Sequence, residues 1–371
     1  MNETTIPENP YLLLTPGPLT TTSTVKATML RDWCTWDRDY NDIVEKIRAE
    51  LADLATKSKG FTAVPMQGSG TFSVEACITT AVPAGGKLLV LANGAYGRRI
   101  AAIAERAGLD WEMMDSGDLA RPDLEKLDAT LARDPGITHV AAVHCETTTG
   151  MLNPVEDIGR AVASRGRSFI VDAMSSFGGI PMDMEEIGAD YLVSSANKCI
   201  QGVPGFGFVV AKTSVLSDTR GNARSLSLDL YDQWETMETG RGKWRFTSPT
   251  HVVRAFATAL EELDEEGGIP RRWERYKTNQ EILVDGMTGL GFRPLLPREC
   301  QSPIITSFCS PEHPDYDFSL FYTRLKDHGF VIYPGKVTEL PTFRVGNIGD
   351  VFPSDMERLV TAVESSMFWA A

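Results

Sequence analysis

Two neighbouring stretches decide the fold: residues 168–179, SFIVDAMSSFGG, and residues 191–208, YLVSSANKCIQGVPGFGF. Each opens on a short apolar run that gives way to small and polar residues, the pattern of a buried strand entering a turn. The first run ends on Asp172, and the second is followed by Lys198 in a loop punctuated by Gly202, Pro204, Gly205 and Gly207. A carboxylate at the end of an apolar strand is costly to bury unless a cation or a hydrogen-bond donor meets it. Taken alone, Asp172 equally caps the next turn or binds a metal, and a lone lysine is usually a solvated surface residue. Together, an acid at one strand end and an amine after the next suit a cofactor whose ring nitrogen needs an acid partner and whose aldehyde forms a Schiff base.

Working outward, the same grammar repeats. KLLVLANG (87–94) precedes AYGRRIAAIAERAG (95–108), HVAAVHCETTTG (139–150) precedes EDIGRAVASRG (156–166), and SFIVDAMSSFGG precedes MEEIGADYLVSSAN (184–197). Short strands alternating with amphipathic helices predict crossover connections and a mostly parallel sheet, with ligands at the carboxyl ends of its strands. GFGFVVAKTSVL (205–216) reads as one more strand. NDIVEKIRAELADLAT (41–56) is a helix with Ile43, Ile47, Leu51 and Leu54 on its apolar face. YLLLTPGPLTTTST (11–24) breaks at Pro16-Gly17-Pro18 and reads as an extended arm lying across something else. HVVRAFATALEELDEEGG (251–268) begins a long helix leading to a smaller domain, where SPIITSFCS (302–310) and TFRVGNIG (342–349) are strands and DFSLFYTRLKDHG (317–329) is a helix. The expected division is an arm at 1–24, a large domain at 25–272 and a small one at 273–371.

Composition narrows the function. The chain has 371 residues, 42% hydrophobic and 23% charged, and no apolar run approaches the roughly 20 residues that a membrane-spanning helix needs. The acidic opening MNETTIPENPY lacks the charge and apolar core of a secretory signal. The six cysteines, Cys34, Cys77, Cys145, Cys199, Cys300 and Cys309, form no CxxC pair, which argues against a disulfide framework and a structural zinc and fits a reducing cytoplasm. A net charge of −14 disfavours nucleic acid as a partner. An anionic substrate would need that field reversed locally, by arginines and helix N-termini.

Further candidates lie upstream of Asp172. Gly68-Ser69-Gly70-Thr71 opens an apolar helix and offers backbone N–H groups, hydroxyls and a helix dipole to a phosphate, although such turns are common for other reasons. Tyr96 in GAYGRR stands where an aromatic ring stacks on a cofactor or packs a hinge, and Thr147 in CETTTG either binds a ligand or caps a turn. The histidines, His139, His144, His251, His313 and His328, lack metal-ligand spacing, so no metal site is expected. Cys199, beside Lys198, reads as an inert small residue rather than a reactive thiol.

TPGPL (15–19), GSGT (68–71), GAYGRR (94–99), CETTTG (145–150), VDAMSSFGG (171–179), SANKCIQGVPGFG (195–207), RFTSPTH (245–251) and FRVGNIG (343–349) occur in this order over nearly the whole chain, which thereby resembles the class V aminotransferases. WCTWDRDYN (33–41), HCETTTG (144–150) and SANKCIQGVPGFGF (195–208) are most similar to the branch acting on 2-aminoethylphosphonate and pyruvate in phosphonate catabolism. Asn197 stands where the alanine:glyoxylate and serine:pyruvate branches usually carry Gln. The resemblance implies a fold type I transferase dependent on pyridoxal 5′-phosphate. It would have a large domain around a mostly parallel seven-stranded sheet flanked by helices, and a smaller α+β domain.

By the same resemblance, Lys198 links covalently to the coenzyme, Asp172 pairs with its ring nitrogen, and Tyr96 stacks on the ring. Thr147 bonds the 3′-oxygen, Asn197 belongs to the coenzyme-binding set, and Ser69, Gly70 and Thr71 hold the phosphate. Thr247 reaches that phosphate from the other subunit of a homodimer, and Arg344 meets the substrate's acid group. Two other readings stand beside this one. An aminotransferase for a carboxylate amine such as alanine or serine shares the cofactor. A binding or regulatory protein that has kept only the scaffold has no physical need for Lys198, Asp172 and Arg344 together.

Overall fold

The computed structural model describes residues 6–335 and 340–370, so the acidic residues 1–5 of the opening lie outside the described residues. A seven-stranded sheet is built from β1 (Phe61–Gln67), β2 (Lys87–Ala92), β3 (Asp110–Asp115), β4 (Ile137–Val143), β5 (Ser168–Asp172), β6 (Tyr191–Ser195) and β7 (Phe206–Lys212). Its order is β1-β7-β6-β5-β4-β2-β3, and β7 runs antiparallel to both neighbours while the other pairs are parallel. Strands β4, β6 and β7 are buried on both faces along almost their full length, which is why they read as continuous apolar runs rather than alternating ones.

Helices α1 (Arg38–Ala55), α2 (Gly70–Ala81), α3 (Ala95–Arg106), α4 (Leu124–Arg133) and α5 (Val155–Ser164) supply apolar faces to one core with this sheet. On α1 the face is rotated slightly from the expected one: Val44, Ile47, Leu51 and Ala55 are buried, and Ile43 and Leu54 flank them. The expected long helix after His251 is two helices, α6 (Thr250–Glu265) and α7 (Gly268–Gly289). Between them Gly267 and Gly268 take φ of 101° and 75°, a region that favours glycine and redirects the chain.

A second core gathers around β8 (Ile305–Cys309), β9 (Tyr333–Pro334) and β10 (Thr342–Gly346), a sheet of order β8-β10-β9 covered by α7, α8 (Phe318–Asp327) and α9 (Pro353–Ser366). Its aromatic rings interlock, Phe308 stacking on Phe343 with centroids 5.7 Å apart. The arm joins this second core: Leu14 is buried in it, and Leu12 and Leu13 pair in parallel with Phe330 and Val331. Beyond the break at Pro16, Leu19 enters a small cluster with Cys145, Cys199, Tyr276, Ile304 and Ile348, which bridges loops of the large sheet and the C-terminal part. Among the described residues no helix is long and apolar enough to cross a membrane.

Candidate functional site

Most of the predicted residues converge at the carboxyl ends of the parallel strands. Gly68–Thr71 follow β1, Tyr96 follows β2, Thr147 follows β4, Asp172 closes β5 and Lys198 follows β6. Asp172 lies in register between Val143 of β4 and Val193 of β6. It is 5% exposed, and the only hydrogen bond to its carboxylate among the described residues comes from Met174 N–H at 3.0 Å. Burial therefore pushes the Asp172 carboxyl up to about 6, against the pull of Met174 and of the nearby Arg99 and Lys198.

Lys198 emerges from a tight turn in which Gln201 N–H donates to its carbonyl at 2.7 Å and Gly202 N–H to that of Ala196 at 2.9 Å. Gln201 holds the turn with φ 69° and donates from its side chain to the Tyr276 hydroxyl and the Gly349 carbonyl. The arm lies over the amine: Lys198 Nζ donates to the Pro16 carbonyl at 2.7 Å, and a β-carbon on Gly17 would stand 2.7 Å from Nζ. Burial pulls the Lys198 ammonium down to about 8, with Asp172 near enough to oppose the shift. Asn197 accepts a hydrogen bond from Ser195 Oγ at 3.1 Å.

Ser69 is the exposed N-cap residue of α2 and makes no side-chain capping bond, so the start of the helix presents N–H groups outward. A β-carbon on Gly70 would lie 2.2 Å from Met174 Sδ; glycine is what lets the cradle close on the loop after Asp172. Arg99 Nη1 reaches Thr71 Oγ1 at 3.4 Å, and its guanidinium lies 4.8 Å from the centroid of the Tyr96 ring. Arg344, on β10, is 2% exposed and donates to the carbonyls of Thr147 at 2.8 Å and Pro334 at 3.0 Å. Among the described residues no carboxylate pairs with it, and burial lowers its pKa. Thr247 is exposed, and among the described residues no side-chain hydrogen bond joins it to the groups above; its neighbour Phe246 lines a surface cavity of about 450 Å³ with Gly68 and Phe72.

Three contributors were not singled out from sequence. Arg99 adds a cation beside the cradle, Pro16 supplies the carbonyl over Lys198, and Glu146 is a fully buried carboxylate behind Tyr96. The GAYGRR and CETTTG segments contain two of them, but nothing in spacing shows which polar residue of a loop turns inward. Cys145 and Cys199, also buried here, have thiols pushed up to about 11 and about 12 by burial, which leaves them unreactive. No group of His, Cys, Asp and Glu side chains suited to a metal ion occurs among the described residues.

The sequence matches the family model described as aminotransferase class-V over residues 21–351. The chain belongs to the class V aminotransferases. This class V aminotransferase is 64% identical over 361 residues, covering 97% of each chain, to a 2-aminoethylphosphonate–pyruvate transaminase of Syntrophobacter fumaroxidans. It is 61% identical to one of Vibrio vulnificus, covering 98% of this chain and 99% of that one. Its fold matches ureidoglycine–glyoxylate aminotransferase of Bacillus subtilis with a TM-score of 0.89 at 22% identity, covering 100% and 96% of the two chains. Pyridoxamine–pyruvate aminotransferase of Mesorhizobium loti matches with a TM-score of 0.88 at 24% identity, covering 98% and 93%. The fold is thus that of a type I aminotransferase.

Proposed function

We propose that this class V aminotransferase moves the amino group of 2-aminoethylphosphonate to pyruvate, releasing phosphonoacetaldehyde and L-alanine. The observation that carries the reading is the 61–64% identity, over nearly the whole chain, to relatives bearing that substrate name. Arg344 supports it as a buried cation with no carboxylate partner among the described residues, since a guanidinium forks onto a phosphonate or a carboxylate equally well.

The site fits pyridoxal 5′-phosphate on its own geometry: a buried acid with a single donor, an amine at the next strand end, and a helix N-terminus left uncapped by its own side chain. When bound, the coenzyme supplies an aldehyde that receives the amino group and a protonated ring that accepts electrons from the substrate carbon. Ser69, Gly70 and Thr71 would hold its phosphate, Tyr96 its ring, Thr147 and Asn197 its polar edge, and Asp172 its ring nitrogen. A cationic ring nitrogen beside Asp172 would offset the burial that raises its pKa, keeping the carboxylate ionised and the ring protonated. Lys198 Nζ, with its pKa near 8, is partly neutral near neutral pH and takes a proton from the amine-bearing carbon of the substrate. The same amine would hand that proton to the aldehyde-derived carbon of the coenzyme, with water releasing the aldehyde product, and would move a proton in the opposite sense, onto the keto carbon of pyruvate, so the two half-reactions share one site.

Two copies of the chain would assemble with shared sites, Thr247 of each reaching the other's phosphate cradle. The division into an arm (1–24), a large domain (25–272) and a small domain (273–371) is supported by the two separate buried cores. Six free cysteines support a cytoplasmic setting. The test is to add 2-aminoethylphosphonate to the purified holoenzyme without a keto acid. Its visible band, on the order of 410 to 430 nm for a lysine-linked coenzyme, is expected to disappear and to return with pyruvate. A band that responds only to alanine or serine sinks the substrate reading and leaves the family.

A further inference from the structure

The carboxyl group of Glu146 is fully buried, yet four donors meet it. Its Oε2 accepts from Tyr96 N–H at 3.1 Å and Gly97 N–H at 3.4 Å; its Oε1 accepts from Thr148 N–H at 3.1 Å and from the Thr148 hydroxyl. The Thr148 oxygen in turn accepts from Ala95 N–H at 3.1 Å, which leaves its own proton to point at Glu146. Four donors converging on one carboxyl group match the acceptor-only ionised form, in which both oxygens accept. Burial pushes its pKa up, while the bonds from Thr148, Gly97 and Tyr96 pull it down, and the charge sits at the positive end of α3. A β-carbon on Gly94 would stand 2.4 Å from Glu146 Cδ; glycine there is what admits the carboxylate to the helix start.

This one group joins two parts of the site. On one side it holds the backbone of Tyr96; on the other it holds the 145–150 turn, whose Thr147 carbonyl accepts from Arg344 at 2.8 Å. We propose that Glu146 is a positioning residue that clamps the start of α3 to this turn and so sets the separation between the Tyr96 ring and the Arg344 guanidinium. The assignment rests on the coenzyme and substrate reading above. It makes Glu146 responsible for presenting the substrate's acid group at the correct distance from the coenzyme ring, although it touches neither.

The experiment compares wild-type, Glu146→Gln and Thr148→Val holoenzymes. Gln keeps the shape but turns its own N–H groups toward one pair of donors, and Val removes the hydroxyl contact alone. The readouts are the visible circular dichroism of the bound coenzyme, which reports ring orientation, and KM for 2-aminoethylphosphonate and for pyruvate. Expected for Gln is a reduced visible signal with both KM values raised about tenfold, the scale of a displaced binding group, and an unchanged far-ultraviolet spectrum. Val should move the same quantities less and in the same direction, and it decides the matter if Gln fails to fold. Lower melting temperatures with wild-type visible signal and KM would mean a merely structural carboxylate and overturn the assignment. A wild-type protein without the visible band, or without turnover of 2-aminoethylphosphonate, overturns the underlying reading and this assignment with it.

Discussion

Burial sets an electrostatic cost on Lys198. A base whose folded pKa, near 8, lies below its ordinary value of about 10.5 binds fewer protons in the fold than in the unfolded chain between those pH values, so stability rises with pH across that window. Lys198→Met should therefore stabilise the coenzyme-free protein at pH 7 by roughly 1–3 kcal/mol, the upper value being that shift converted and the lower allowing for the lost bond to Pro16. The gain should fade to under about 0.5 kcal/mol by pH 10.5. Denaturant unfolding of both proteins at pH 7 and pH 10 checks it; an equal difference at the two values would remove the buried ammonium as the cause. The same variant should lose the visible band and turnover. Arg344→Lys keeps a charge but loses the fork, and should raise KM for both acids by about tenfold or more; an effect on only one substrate would show that the acids do not share this residue. Asp172 and Lys198 were legible because ionisable side chains at the ends of apolar strands are conspicuous. Glu146 and Arg99 were not, because loop residues reveal their direction only once the turn around them is closed.

At the scale of elements, the parallel strands with strong apolar runs and the helices between them could be read directly, and the arm could be read from its prolines. Two strands of the large sheet escaped. β1 contains Pro65, which usually argues against a strand, but β1 is an edge of the sheet where a missing N–H is tolerated. β3, DWEMMD, is the other edge, mostly solvated, and its burial is confined to Met114 and the partly covered Trp111 and Glu112. Close packing between elements also left no trace in periodicity. Gly159 on α5 is buried, and a β-carbon there would come within 1.8 Å of the Ile187 carbonyl, so the helix approaches that turn only because the side chain is absent. Gly159→Ala should cost about 1–3 kcal/mol despite alanine's better helix propensity. A shifted denaturation midpoint with an unchanged slope would show it; a stabilised variant would mean the helix moves away freely.

For the whole molecule, the problem posed by a net charge of −14 is solved locally, by Arg344, Arg99 and the start of α2 converging on one side of the sheet. Beside the start of α2 lies exposed apolar surface: Phe246 is 52% exposed and Phe72 50%. Phe246 and Phe72 line the cavity that includes Gly68, immediately before the proposed phosphate cradle, so a second copy covering them would bring foreign side chains to the proposed coenzyme site. Two variants separate assembly from binding. Phe246→Asp places a charge in the apolar patch and should yield a monomer in sedimentation, with coenzyme affinity reduced at least about tenfold. Thr247→Ala removes only a hydroxyl and should leave the proposed dimer intact while weakening coenzyme binding severalfold, about 1 kcal/mol for one hydrogen bond. Mixing Thr247→Ala chains with Lys198→Met chains adds a sharper consequence. If Thr247 serves the other chain's cradle, a heterodimer of Thr247→Ala with a Lys198→Met chain has one site lacking the lysine and the other, in the Thr247→Ala chain, furnished with an intact Thr247 from its partner. That second site should bind coenzyme with wild-type affinity. Weakened binding in the heterodimer would place Thr247 in its own chain's site.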